Sequence, residues 1–500
     1  MGTWRDRLPE RLRTAVRDRV AVDTRALGVF RLSLGVLLLA DLLLRARDLR
    51  AHYSDSGVFP RAAAIELYDP LSFHLAVGDV PQLAALFALQ GVVALAFLVG
   101  YRTRLATLLT WVCWLSLHAR FPIALNGGDT LLRLSLFWSL FVPLGARFSV
   151  DALHREAPPE RIASLGTAAL LGQVLFMYGT NAAFKHMGTI WATGDGLTYT
   201  LRLGHFTTAF GEFLGTLPLV TTVLGYTVFV LWTLSPGLLL LTGWRRAVLA
   251  GLFVGMHVGM ALSMHLGLFP AVVVAALLLF LPTPVWDRLL PPERVDRFRR
   301  PALEEFLRGL YPTLSTPALL ARLHGHLRVV AVVVILVSLL FVGAFNAQVL
   351  TNRAGVGPQD TTPEPLETYG ETLYLTQYWN MFAPDPLRKT GWYRLPGTLE
   401  NGTTIDVARG GPVTADRPAG LDDLATQYPN QRWRKYLSNL RQPGYAAERE
   451  LFLQYHCEQW NREHDTDLES IEFDYVTLWV TDNGTVRQGT DFLGSHTCAA

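Results

Sequence analysis

Apolar residues run almost unbroken through long stretches of the first 350 positions of this 500-residue chain, and polar residues gather between them. The runs fall at 27–44, 82–99, 105–121, 131–146, 165–184, 218–243, 247–266, 268–283 and 329–349. Each approaches the ~20 residues a helix needs to cross a hydrocarbon layer of ~30 Å, so the pattern predicts about nine membrane spans. The stretch 247–283 must cross twice about a break at Gly267, Phe269 and Pro270; as one long helix or a re-entrant pair it would change the count by one. Beyond position 350 the pattern shifts to short alternating segments. Strands are expected at 404–408 and 471–481 and a helix around 445–463, after a linker at 351–365 rich in Gly, Pro and Thr. The predicted fold class is a polytopic α-helical membrane protein with a small C-terminal α+β extracytoplasmic domain.

Charge sets the orientation. Residues 1–26 hold seven arginines at roughly helical spacing and read as a cytoplasmic amphipathic helix; the basic stretch is longer than a signal peptide's and no small-residue cleavage site follows. Arg102 and Arg104, then Arg147, Arg155 and Arg161, then Arg245 and Arg246 fall between alternate pairs of spans, which places the amino terminus inside. The expected units are the helix at 1–26, a transmembrane domain at 27–283, a cytoplasmic interfacial segment at 284–328 with eight more arginines, a last span at 329–349, and an outer domain at 350–500. There, Cys457 and Cys498 are expected to form a disulfide, and the Asn-Gly-Thr sequons at Asn401 and Asn483 either accept glycans or serve as hairpin turns.

Composition agrees: half the residues are hydrophobic and 17% charged, too apolar for an ordinary soluble protein. Residues 1–349 carry 31 Lys+Arg against 21 Asp+Glu, and residues 350–500 carry 13 against 21. No dense basic patch with interleaved aromatics supports nucleic-acid binding.

Of 44 basic residues only Lys185, Lys389 and Lys435 are lysines, and Lys185 is the single lysine of the membrane half. An amine can work with its proton off where a guanidinium cannot, so Lys185 is read either as a base or nucleophile or as an interfacial anchor. His257 falls mid-span, with Met256, Met260 and Met264 on a neighbouring face. In Asn126-Gly127-Gly128-Asp129, Asp129 fits a helix N-cap and an i, i+4 pair with Arg133; the alternative is a glycine-lined pocket wall. Arg31 and Asp41 lie ten residues apart on the first span and are expected to meet other helices. No nucleotide loop, catalytic triad order or metal-binding Cys pair is present, and no metal is predicted.

Several segments in order resemble one family, the membrane domain shared by vitamin K-dependent gamma-carboxylase and its microbial relatives, the HTTM proteins. They are Phe30-Arg31; Tyr53 to Pro60; Asn126 to Asp129; Tyr178, Lys185, Trp191 and Gly194; His257 with Leu268-Phe269-Pro270; and Gln377 to Pro384 in the tail. The resemblance covers residues 25–285 and part of the tail near 374–395. It implies that Lys185 is the base that activates a reduced isoprenoid quinone, vitamin K-like, with His257 beside it as a catalytic residue. Tyr178, Trp191, Asn126 and Asp129 would bind the substrate. No histidine stands near Gly127 or Gly128, where one assists the carboxylase, and the tail lacks a propeptide-binding counterpart, so quinol chemistry is a nearer expectation than glutamate carboxylation.

Two functions from different classes follow. One is a multi-pass enzyme acting on a lipid-soluble quinol. The other is a non-catalytic factor for maturation, export or immunity of a secreted peptide bound by the outer domain, as in relatives such as the sporulation-delaying protein B family, with Lys185 an anchor. A transporter comes third, since no inverted repeat is visible.

Overall fold

The computed structural model describes residues 9–154, 158–291, 318–356, 362–414, 424–481 and 484–498, together with Glu305, Asp416 and Arg417. Asn483, residues 1–8 and most of 292–317 lie outside the described residues.

Every one of the nine apolar runs holds a helix. After α1 (Glu10–Val20) come α2 (Thr24–Ala46), α3 (Val80–Val99), α4 (Thr103–Arg120), α5 (Gly127–Ser139), α6 (Leu165–His186), α7 (Pro218–Thr233), α8 (Gly243–Ser263), α9 (Phe269–Leu277) and α10 (Ala318–Ala354). Among the described residues, four helices are long and apolar enough by themselves to cross a membrane: α2, α3, α8 and Gly325–Ala354 of α10. Two pairs bent by 103° and 111°, Ala209–Gly215 with α7 and Phe269–Phe280 with Thr283–Leu289, would bring the number to six.

The other runs fall short by length or composition, and two of them, α5 and α6, also differ in packing. All but two of the 13 residues of α5 are buried, and α6 buries Gln173, Thr180, Asn181 and Lys185 among apolar neighbours. These helices are enclosed by protein, so their polar groups meet partners there. The lipid-compatible surface belongs to the outer helices, where Leu89, Val92, Leu219, Val223, Val248, Leu252 and Leu340 stand exposed. At the expected break, α8 stops at Ser263, Gly267 takes a positive φ of 62°, and α9 starts at Phe269 with Pro270 in its first turn.

Three expected boundaries move. Among the described residues the amino-terminal helix is Glu10–Val20 and ends short of 26, because Ala21 turns extended, Val22–Asp23 pairs with Arg161–Ile162, and Asp23 caps α2 by accepting from the Arg25 N–H. The last apolar helix starts upstream, at Ala318 instead of 329, and its final turns take in 351–354 of the expected linker. A second helix, Glu364–Thr372, begins inside that linker.

Beyond that helix, the described part of the tail holds a five-stranded antiparallel sheet and two further α-helices. Strand β4 (Leu468–Thr481) pairs with β1 (Lys389–Arg394) and β2 (Pro396–Leu399) along one edge and with β5 (Gly484–Thr497) along the other; β3 (Thr404–Asp406) extends β2. The strand expected at 404–408 is therefore β3, and the one at 471–481 lies inside β4. Asn401 and Gly402 form the β2–β3 turn, where the Asn401 side chain accepts from the Thr403 N–H. Helix α11 (Gln431–Leu440) faces the bundle, and α12 (Ala446–Glu463) lies on the sheet, bonded to it by the Cys457–Cys498 disulfide.

Candidate functional site

Helix α6 opens on a reciprocal cap in which Ser164 and Thr167 satisfy each other's backbone N–H groups, and it carries Tyr178, Asn181 and Lys185 toward its other end. Asn181 and Lys185, four residues apart, share a face. Lys185 Nζ donates to Asn181 Oδ1 at 2.7 Å and to the Met381 carbonyl at 2.8 Å, while Trp232 and Trp191 present ring faces 4.0 and 4.7 Å away. The side chain is fully buried.

The tail segment Gln377–Pro384 lies along this face. Gln377 Oε1 accepts from Gln173 at 2.7 Å, the Trp379 carbonyl from Asn181 at 2.7 Å, and the Phe382 carbonyl from Trp191 Nε1 at 2.7 Å. The segment thus ties the soluble tail to the bundle through its own backbone, and Lys185 is one of the ties.

Beside it opens a cavity of about 550 Å³, apolar except where Tyr178, Asn181, Thr200, Thr227, His257 and Ser263 reach its wall. His257 Nδ1 lies 2.9 Å from the Phe253 carbonyl and 3.4 Å from the Tyr178 hydroxyl. A carbonyl only accepts, so Nδ1 carries the proton and Nε2 is the nitrogen left to receive one. Met256, Met260 and Met264 line this cavity too. Trp191 and Trp232 stand on the wall; Lys185 lies behind them.

Asn126 and Asp129 belong elsewhere. They border a second cavity of about 440 Å³ between the bundle and α11, and Phe269 is on the wall of both. Asn126, not Asp129, is the N-cap of α5; Asp129 returns a bond to the Asn126 N–H from the third helical position. The expected Asp129–Arg133 pair does not form, because Arg133 bonds the Tyr374 carbonyl at 3.0 Å. Asp129 instead meets Arg45 at 2.7 Å and Arg432 at 2.9 Å. Asp41 takes Arg45 at 2.8 Å, Trp114 Nε1 at 3.0 Å and also Arg432. Arg31 likewise meets another segment, donating to the Phe148 carbonyl.

Two carboxylates and two guanidinium groups close into a neutral buried network. Burial and Arg45 oppose the charge of Arg432, yet Asp129 and Asp41 hold its proton more firmly than usual. Asp41, His118 and Asp129 have ligand atoms within 4.8 Å of one another, but both carboxylates are committed to arginines. At Gly128 an added Cβ would come within 3.0 Å of the Phe269 backbone, so the glycine lets α5 and α9 touch.

Sequence reasoning missed Trp232, Asn181 and Arg432 as site residues. The Asn181–Lys185 spacing was a usable signal. Nothing in the sequence ties Arg432 to carboxylates at positions 41 and 129.

Long apolar helices around an enclosed polar stripe, an apolar chamber beside it and a tail bolted to both make a mostly helical protein of membrane-like build with a C-terminal sheet domain. A family model for the HTTM domain matches residues 20–286, more than half of the chain, and the chain belongs to the HTTM domain family. No curated protein matches, and no solved structure does.

Proposed function

We propose that this HTTM protein is a multi-pass enzyme of the cell membrane that takes a lipid-soluble quinol, a reduced isoprenoid quinone, into the 550 Å³ cavity. The observation that carries the reading is the apolar chamber walled by Tyr178, His257, Trp191 and Trp232, with Lys185 one ring's thickness behind. The quinol ring would lie against Trp191, and His257 Nε2 would accept a hydroxyl hydrogen bond. Lys185, reached by a turn of the Trp232 side chain, would take the second hydroxyl proton as general base. Asn126 and Asp129 act from the neighbouring cavity by holding α5 against α11 and α2. Nine spans with the amino terminus inside and the tail outside suit this arrangement; arginine placement and the Cys457–Cys498 bond support that topology.

Mass spectrometry of quinone species, after the purified protein meets reduced vitamin K or menaquinol and oxygen, tests the activity. Product from wild type and none from Lys185→Arg is the expected result; equal turnover by the two proteins refutes the base. For topology, a cysteine placed at exposed Glu469 (Glu469→Cys) should react with an impermeant maleimide from outside intact cells, and labelling only from the cytosolic side would overturn it.

One observation favours the second class of function. Lys185 is held by the tail's Met381 carbonyl, as an anchor would be. On that reading the protein is a non-catalytic factor whose outer domain binds a secreted peptide, and neither protein turns over quinol while both retain peptide binding.

A further inference from the structure

The neutral network leaves one charge over. The second cavity is bordered by Asp41 from α2, Asp129 from α5, and Arg432 and Arg434 from α11, and by His205 and His265. Asp41, Asp129, Arg45 and Arg432 sum to zero. Arg434, 7% exposed, then adds a positive charge with no carboxylate on it. Among the described residues its guanidinium makes no hydrogen bond or ion pair, its Nε is buried without a partner, and it stacks on the face of Phe206 at 3.9 Å. Arg441, over Tyr475 at 3.5 Å, adds a second positive charge near this end.

A buried guanidinium without an anion is costly, and burial pushes that of Arg434 down to about 10 against the milder pull of Tyr428 and Tyr393. His205 is kept neutral by burial and by Arg434 and Arg441; its Nδ1 engages Thr390 Oγ1 at 2.8 Å. The cavity's two ends differ in kind. Leu44, Leu132 and Val272 form an apolar floor on the bundle side, beside the arginine-bound Asp41 and Asp129, and Gln431 and Arg434 a polar roof on the tail side.

We propose that this cavity binds an amphipathic ligand bearing one oxyanion, a carboxylate or a phosphodiester, with the anion on Arg434 and the apolar body along Leu44, Leu132 and Val272. The site is separate from the quinol chamber and does not depend on it. The anion supplies the charge that Arg434 lacks, and the length of the floor selects a chain over a small inorganic ion.

Calorimetric titration of the purified full-length protein in detergent tests this with decanoate, dihexanoyl phosphatidylglycerol and, as the neutral control, decanol. Saturable binding of at least one anion, at least tenfold tighter than decanol, is expected. Arg434→Gln should weaken it at least tenfold, and Arg434→Lys less. Binding of decanoate alone points to a free fatty-acid source, of the phosphatidylglycerol alone to a bilayer lipid, and of both to the oxyanion as the shared element. Should Arg434→Gln fail to fold, Leu44→Trp keeps the test open. Leu44 is 39% exposed and accommodates a larger ring, which narrows the floor and should weaken anion binding with Arg434 intact. No saturable binding of either anion, decanol binding equally well, or unchanged affinity in Arg434→Gln or Leu44→Trp overturns the proposal.

Discussion

Asn181 does more at the end of α6 than the lysine beside it. Its amide donates to two tail carbonyls, at 2.7 and 3.1 Å, while its oxygen accepts from Lys185. Asn181→Leu keeps the volume but leaves the Trp379 carbonyl and the lysine short of partners. Each buried polar group left unpaired costs ~1–3 kcal/mol, so a loss on the order of 3 kcal/mol is expected in the unfolding free energy, read by tryptophan fluorescence. Lys185→Met should cost about as much, because Asn181 Oδ1 and the Met381 carbonyl both lose a donor. If stability is unchanged in Asn181→Leu, the tail is not held by this segment. The sequence exposed Lys185 because it is the only lysine in the membrane half, and the four-residue spacing to Asn181, one helical turn, was a signal left unread. It hid Trp232 because its approach to the lysine depends on how α7 packs against α6, which no local spacing records.

At the scale of elements, α11 is fixed to the bundle at its first turn. Asn430 caps it by accepting from Arg432 and Trp433 N–H groups while its own amide donates to Asp48 at 2.6 Å, and Asn439 further along donates to the Ile123 carbonyl at 2.7 Å. Arg432 is the charged bolt between. Arg432→Met leaves two buried carboxylates facing Arg45 alone, and breaking a buried pair in this way costs ~3–5 kcal/mol. The double variant Arg432→Met with Asp129→Asn restores charge balance and should regain part of that loss. Strict additivity of the two single changes in a double-mutant cycle would show that the groups do not couple. The apolar runs made the helices legible, and alternation with the Asn401-Gly402 turn made the β2–β3 hairpin legible. What the pattern could not distinguish is an enclosed helix from one facing lipid. The short α5 looks like a span in sequence because Leu131, Leu134 and Phe137 are apolar, yet protein covers them.

Across the whole molecule, the tail and the bundle share one buried interior, and histidines are part of it. His52 lies between Phe121, with ring centroids 4.8 Å apart, and Trp433 of α11 at 4.5 Å. His74 reaches Ser116 Oγ at 2.7 Å, and His205 joins the bundle side to Thr390 of β1. Burial pushes all three rings down, His52 and His205 to about 3 and His74 to about 4, with nearby arginines adding to the effect. Each therefore stays neutral in the folded protein while its unfolded counterpart protonates near 6.5. The unfolded chain binds more protons below that value, so stability is full above about pH 7, declines as pH falls through 6.5, and stops declining near 4 to 3, where the folded rings also protonate. Each ring contributes up to about 1.4 kcal/mol per pH unit, about 4 for the three together. The unfolding midpoint in detergent should be level from pH 8 to 7 and fall steeply between 6 and 4.5. His52→Phe fits the same aromatic slot and has nothing to protonate, so it should flatten that fall by about a third. An equally steep fall in this variant would assign the acid sensitivity to other groups, and a level midpoint down to pH 4.5 would mean that these rings are open to water at the junction of tail and bundle.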